Sequence, residues 1–260
     1  MLLNSLGTDL SLWDCVGQML QGQFRLLRMD SRGHGASDAP GGDYSLEALA
    51  SDALVVMDAA GVDRAAVCGL SLGGMVAMML ALRVPHRVTA LVCACTSAQM
   101  DVDIWPARID TVCTQGLVAI ADLTLQRFFS KAFIQNHPEI TASVRTRFLA
   151  MSADGYLGCC AAIRDMNLIG RLEAITAPTL VISGTQDIST PFEGHGERIV
   201  GAITGARAVS LATGHLACLE SPAAFAEAVL DFLVQVFDGS AAFAPLRFYS
   251  NPTSPCARCG

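Results

Sequence analysis

Cys68-Gly69-Leu70-Ser71-Leu72-Gly73-Gly74 is the stretch that decides the fold. It stands between an apolar run, Ala65 to Leu70, and a helical run, Leu72 to Arg83. That is G-x-S-x-G in a strand–turn–helix setting, where a serine is presented as a nucleophile. The turn is tight enough to strain Ser71. A side chain at Gly69 or Gly73 would collide with the neighbouring strand or helix.

Working outward, strands alternate with helices. Leu26 to Met29 reads as a short strand that runs into the glycine-punctuated loop Asp30-Ser31-Arg32-Gly33-His34-Gly35-Ala36-Ser37. Ser45 precedes a helix from Leu46 to Ala60 that Gly61 ends. Val88 to Ala94, Thr179 to Ser183 and Ala206 to Leu211 read as further strands, and Pro222 to Val236 as the last helix. Several strands are continuously apolar, the mark of a parallel sheet covered on both faces, so the fold class is α/β. Between Ser97 and Ile175 helical periodicity takes over. We read about four helices there, around Ile104 to Thr114, Leu117 to Phe129, Ile140 to Met151 and Gly155 to Met166. Residues 1–97 and 175–237 then form a core, 98–174 a helical cap that excludes water from a pocket, and 238–260 a loosely ordered tail.

Composition narrows the function. The 260 residues suit one domain carrying an insertion, and 52% hydrophobic residues supply a sizeable core. A formal net charge of −7 argues against a nucleic-acid or anionic-membrane surface. No run has the length and lack of charge of a membrane span, and Met1 to Asp9 lacks the pattern of a signal peptide. The ten cysteines read as small hydrophobes. Cys68, Cys93 and Cys95 fall in strand-like runs, Cys159 and Cys160 are adjacent, and Cys256-x-x-Cys259 lacks a second pair. No metal is expected, and the cysteines suit a reducing cytoplasm.

A serine hydroxyl needs a base, and the base needs an orienter. In this fold type they follow in the order Ser, Asp or Glu, His. Asp187 follows the strand that ends at Ser183, and His215 follows the one that ends at Leu211. All three would emerge at the C-terminal ends of parallel strands. Glu193 competes with Asp187, whereas Asp9 and Asp30 break the order. Among other histidines, His34 reads as a loop residue, and His86, His137 and His195 as surface residues. The oxyanion of acyl attack needs two backbone donors, assigned to Leu72 and to Leu6 in the loop Asn4-Ser5-Leu6-Gly7.

On these marks the chain resembles the 3-oxoadipate enol-lactone hydrolases of the alpha/beta-hydrolase superfamily from about Leu3 to Phe237. The resemblance rests on Asn4-Ser5-Leu6-Gly7-Thr8-Asp9, Arg28 to Gly35, Cys68 to Gly74, Ile182 to Asp187, and Gly214-His215 with Glu220-Ser221-Pro222. Gly155-Tyr156 and Cys159 also look like that branch. It implies cofactor-free opening of a small anionic lactone in the beta-ketoadipate route of aromatic breakdown, and a donor facing the substrate carboxylate. Trp105 and Arg108, or Arg127 and Arg164 deeper in the cap, are the candidates. Against the family pattern, Met1-Leu2-Leu3 is all that stands for the third strand, so the N-terminal strands read as truncated. The alternatives are a carboxylesterase or another small-lactone hydrolase, and an inactive hydrolase-like binding protein.

Overall fold

The computed structural model describes residues 1–238 and the backbone of Phe248–Tyr249. The strands are β1 (Leu2–Leu3), β2 (Ala65–Leu70), β3 (Val88–Ala94), β4 (Thr179–Gly184) and β5 (Arg207–Leu211). They lie side by side in sequence order and all neighbours are parallel; Phe248–Tyr249 pairs beyond β5. Alternate residues of each strand enter different apolar clusters. Val67, Leu91, Cys93 and Val181 pack into one. Cys68, Leu70, Ala90, Val92, Leu180 and Ile182 pack into the other. A period of two with both faces apolar is why these strands read as unbroken hydrophobic runs.

Helices cover both faces. On one side α2 (Leu46–Ala59) packs on α3 (Leu72–Arg83), and on the other α1 (Asp14–Leu20) packs on α11 (Pro222–Phe237). Ser45 caps α2 by accepting from the Ala48 N–H at 3.1 Å, the role its position in the sequence implies. Between β3 and β4 run α4 (Ile104–Gln115), α5 (Ala121–Phe128), α6 (Lys131–Asn136), α7 (Pro138–Ala150) and α8 (Ala153–Asp165). After β4 come α9 (Glu197–Ala202) and, past β5, α10 (Ala217–Glu220).

Three local expectations change. The stretch Leu26 to Met29 is not a strand; it makes a single bridge, Arg28 to Leu2. Its partner β1 is only two residues long, so no ladder can extend along it. The helix expected over Leu117 to Phe129 is broken into a 3₁₀ turn at Leu117–Ala119 and α5. The short helix α6 is additional; it starts where the Ser130 hydroxyl accepts from the Phe133 N–H at 3.2 Å. Two expectations, the order of the tail beyond Asp238 and the Cys256–Cys259 pair, lie outside the described residues.

β1 is short yet joined on both sides. The Leu2 N–H donates to the Leu27 carbonyl at 2.8 Å, and the Cys68 N–H donates to the Met1 carbonyl at 2.8 Å. Its C-terminal end delivers the chain directly into the loop Asn4–Gly7, against the start of α3.

Candidate active site

Ser71 caps α3 with φ +56° and ψ −117°, the left-handed half of backbone space that non-glycine residues rarely occupy. The surroundings enforce it. The Ser71 N–H donates to the Ala94 carbonyl at 2.8 Å, and the Thr96 hydroxyl donates to the Ser71 carbonyl at 2.6 Å. Glycines allow the close approach: a Cβ on Gly73 would sit 2.2 Å from the Leu3 carbonyl oxygen, and one on Gly69 2.0 Å from the Gly73 carbonyl oxygen. The turn thus packs against β1 on one side and its own helix on the other.

Asp187 and His215 are joined. His215 Nδ1 donates to Asp187 Oδ2 at 2.8 Å, and both residues are buried. The carboxylate is held from all sides. Its Oδ1 accepts from the N–H groups of Ser189 (2.8 Å) and Thr190 (3.1 Å), and its Oδ2 accepts from the Thr190 hydroxyl at 2.9 Å. Burial pushes the Asp187 carboxyl up, but the His215 charge and hydrogen bond and the two backbone donors outweigh it and leave it at about 2. An anion fixed there holds the proton of the imidazole on Nδ1 and leaves Nε2 as the basic atom. Glu193, the competitor, is exposed.

Ser71 and His215 line one cavity of about 400 Å³, together with Ser5, Leu6, Trp105, Arg108, Arg127 and the apolar side chains of Met75, Ile163 and Phe128. No hydrogen bond joins Ser71 to the imidazole, although both face the same cavity. Phe128 stacks on the imidazole, with ring centroids 6.4 Å apart.

The amides assigned to the oxyanion belong to Leu72, at the start of α3, and to Leu6, on the cavity wall. Leu72 is the first residue of α3, so its N–H has no acceptor within the helix. Leu6 is buried on the cavity wall, and its N–H meets no acceptor among the described residues. The loop that carries it is tied down by His34, whose Nε2 accepts from the Gly7 N–H at 3.0 Å while Nδ1 meets the Arg32 carbonyl at 3.2 Å. Burial lowers the His34 pKa, so the ring is neutral and serves as donor and acceptor at once. His34 is therefore a loop residue, as expected, but it bridges two loops rather than one.

The four cap candidates separate. Trp105 and Arg108 of α4 and Arg127 of α5 line the cavity; Arg164 does not. Arg164 leaves α8 on the outer surface and is held there by Asp43 (2.9 Å) and Asp165 (2.6 Å), which corrects the expectation for it. The Arg108 Nε donates to the Tyr156 hydroxyl at 2.8 Å and its Nη2 to the Thr124 hydroxyl at 3.1 Å, so it meets neutral partners only. Arg127 makes no hydrogen bond or ion pair with a described residue, and the buried Trp105 Nε1–H has no acceptor. His195, expected on the surface, is half-buried and contacts the Ser97 hydroxyl at 2.8 Å. Thr190 escaped the sequence reading, and Glu220 entered it only as a mark of the resemblance, with no role assigned. Asp187-x-x-Thr190 was a local signal for the first, whereas Glu220 joins the nearby Gly214 N–H to Ser130, 90 residues away.

A model of the alpha/beta hydrolase fold matches residues 1–112. The chain is 34% identical over 227 residues to 3-oxoadipate enol-lactonase 2 of Acinetobacter baylyi, covering 87% of this chain and 85% of that protein. It is 30% identical to 3-oxoadipate enol-lactonase 1 of the same organism, covering 91% and 85%. Among solved structures it is similar to the enol-lactonase of Burkholderia xenovorans, with 38% identity, TM-score 0.87 and 90% of each chain covered. A hydrolase of Pseudomonas aeruginosa shares 42% identity at TM-score 0.86, covering 89% of this chain and 88% of that one.

Proposed function

The chain belongs to the 3-oxoadipate enol-lactonase family of alpha/beta hydrolases, and on that premise we propose that it is a serine hydrolase opening the ring of 3-oxoadipate enol-lactone. The observation that carries the reading is one cavity in which Ser71, a buried Asp187–His215 pair and two arginines without carboxylate partners meet. In the reaction, Ser71 Oγ attacks the lactone carbonyl carbon while His215 Nε2 takes the hydroxyl proton. The amides of Leu6 and Leu72 receive the oxyanion. Collapse breaks the ring C–O bond. The departing enol oxygen takes the proton from His215 and relaxes to the ketone, leaving an acyl group on Ser71. A water that gives its proton to His215 then attacks the acyl carbon, and 3-oxoadipate leaves as Ser71 is reprotonated.

Residues 98–174 act as the cap in this reading, since α4 and α5 supply the far wall of the cavity. Arg127 takes the substrate carboxylate, because an arginine without a carboxylate partner in an apolar surround favours an anion. Arg108, already committed to Tyr156 and Thr124, holds the wall, and the Trp105 N–H offers a second donor.

The test compares turnover of 3-oxoadipate enol-lactone with that of a neutral p-nitrophenyl ester. The expected result is preference for the lactone, with Arg127→Ala raising KM for the lactone about 10-fold or more and leaving the ester unchanged. A second reading, a carboxylesterase, draws on the largely apolar lining of the same cavity; ester turnover without lactone turnover would select it.

A further inference from the structure

Outside the reacting atoms, one buried acid joins two parts of the molecule. Glu220, at the end of α10, is 9% exposed. Its Oε1 accepts from the Gly214 N–H at 2.9 Å and from the Ser130 N–H at 2.7 Å, and its Oε2 accepts from the Ser130 hydroxyl at 2.8 Å. Gly214 immediately precedes His215, and Ser130 lies in the insertion, between α5 and α6. No lysine or arginine pairs with Glu220 among the described residues, so three neutral donors alone support a buried carboxylate. Burying a charge without a counter-ion is costly, and an apolar side chain would fill the space at less expense. The site is built to hold those donors.

The same seam carries two more links. The Leu216 N–H donates to the Phe128 carbonyl at 2.8 Å, and the Phe128 ring stacks on His215. The residues on either side of His215 are therefore both tied to the insertion. Room in the seam is minimal: a Cβ on Gly214 would lie 2.6 Å from Glu220 Oε1 and 2.7 Å from the Ser130 nitrogen.

We propose that Glu220 is a positioning residue for the base, seating the His215 turn on the helical insertion so that the insertion, as well as Asp187, sets where the imidazole stands. This rests on the reading of His215 as the general base. The carboxylate touches neither substrate nor the reacting atoms; it acts through the backbone of Gly214. Because Gly214 and Ser130 share one oxygen, a shift of the insertion at Ser130 is passed to the His215 turn.

The experiment uses the full chain and three variants. Glu220→Ala removes all three bonds. Ser130→Ala removes only the hydroxyl. Glu220→Gln is the conservative variant: its amide oxygen can keep both N–H donors, and its NH₂ can donate to the Ser130 hydroxyl. Steady-state kinetics on the ester or lactone that the wild type turns over are read beside the rate of Ser71 labelling by a fluorophosphonate. Displacement of a base by about an ångström costs of order 100-fold. Glu220→Ala is expected to lose about that much kcat and slow labelling in parallel, with KM within about twofold. Ser130→Ala should lose roughly 3- to 10-fold in kcat, and Glu220→Gln should return to within about 3-fold of wild type.

Should Glu220→Ala fail to fold, Ser130→Ala decides alone. The proposal is overturned if kcat and labelling stay within twofold in every variant that folds, or if KM rises as much as kcat falls. It is also overturned if Glu220→Gln is as impaired as Glu220→Ala. Failure of the wild type to label at Ser71 is a different result, which refutes the serine-hydrolase reading itself.

Discussion

At the scale of single residues, the site divides into groups that do chemistry and groups that hold them. Ser71→Ala should lower kcat by roughly 10⁵-fold or more without a matching change in KM, measured on whichever substrate the wild type turns over. Asp187→Asn should cost of order 10⁴-fold, since an amide at that place favours the wrong imidazole tautomer. Arg164→Ala should leave KM for an anionic lactone unchanged, because that guanidinium is spent on Asp43 and Asp165; a KM rise equal to that of Arg127→Ala would contradict the geometry. Ser71, Asp187 and His215 were legible as neighbours because each follows a strand at a short, motif-bound distance; the structure puts Ser71 and His215 on one cavity and bonds His215 to Asp187. Arg164 was not legible: helical periodicity says that a residue is in α8, but the side of the helix that meets the cavity depends on how α8 docks. Ser130 and Glu220 were beyond reach for a related reason, as nothing local links positions 90 residues apart.

At the scale of elements, β2, the nucleophile turn and α3 form a unit set by close contact with β1. Gly73→Ala should destabilise the fold by about 3 kcal/mol or more in urea denaturation, because its Cβ meets backbone atoms of Leu3 that cannot step aside. Gly22→Ala is the matched control. Nothing lies within 4 Å of a Cβ there and the backbone is not left-handed, so it should be neutral or stabilise by about 0.5 kcal/mol. Equal losses at the two glycines would refute the packing argument. Strands β2 to β4 and helices α2, α3 and α11 could be read from the sequence because their apolar residues mark the faces they bury; β5, half-buried up to Leu211, was read with them. Leu26 to Met29 has the composition of a strand and lacks the partner. Strand formation is a property of pairs, and β1 supplies only Leu2 for that pairing.

At the scale of the whole molecule, the insertion and the sheet meet at His215, and acid should weaken them together. Folded Asp187 takes a proton only near about 2, against 3.8 in a free chain. The stability this contributes is complete above about pH 4 and is lost as the pH falls through about 2. Glu220 works the other way: burial raises its pKa despite the bonds from Ser130 and Gly214, so its protonation offsets part of the loss. Thermal unfolding of wild type and Asp187→Asn from pH 6 to pH 2 should therefore converge as the pH drops. A gap between them that stays constant would show that Asp187 is not the group responsible. Among the described residues no helix is long and apolar enough to cross a membrane.

The left-handed backbone at position 71 has a consequence for durability. Residues held in such sparsely populated conformations cost of order 1–3 kcal/mol, whereas glycine sits there freely and gives back roughly 0.5–1 kcal/mol of that in chain disorder when unfolded. Ser71→Gly should thus yield an inert protein that outlasts its parent on heating, melting a few degrees higher, about 2–4 °C per kcal/mol regained. Longevity and catalysis compete for a single backbone angle, and selection for robustness alone would discard the nucleophile first.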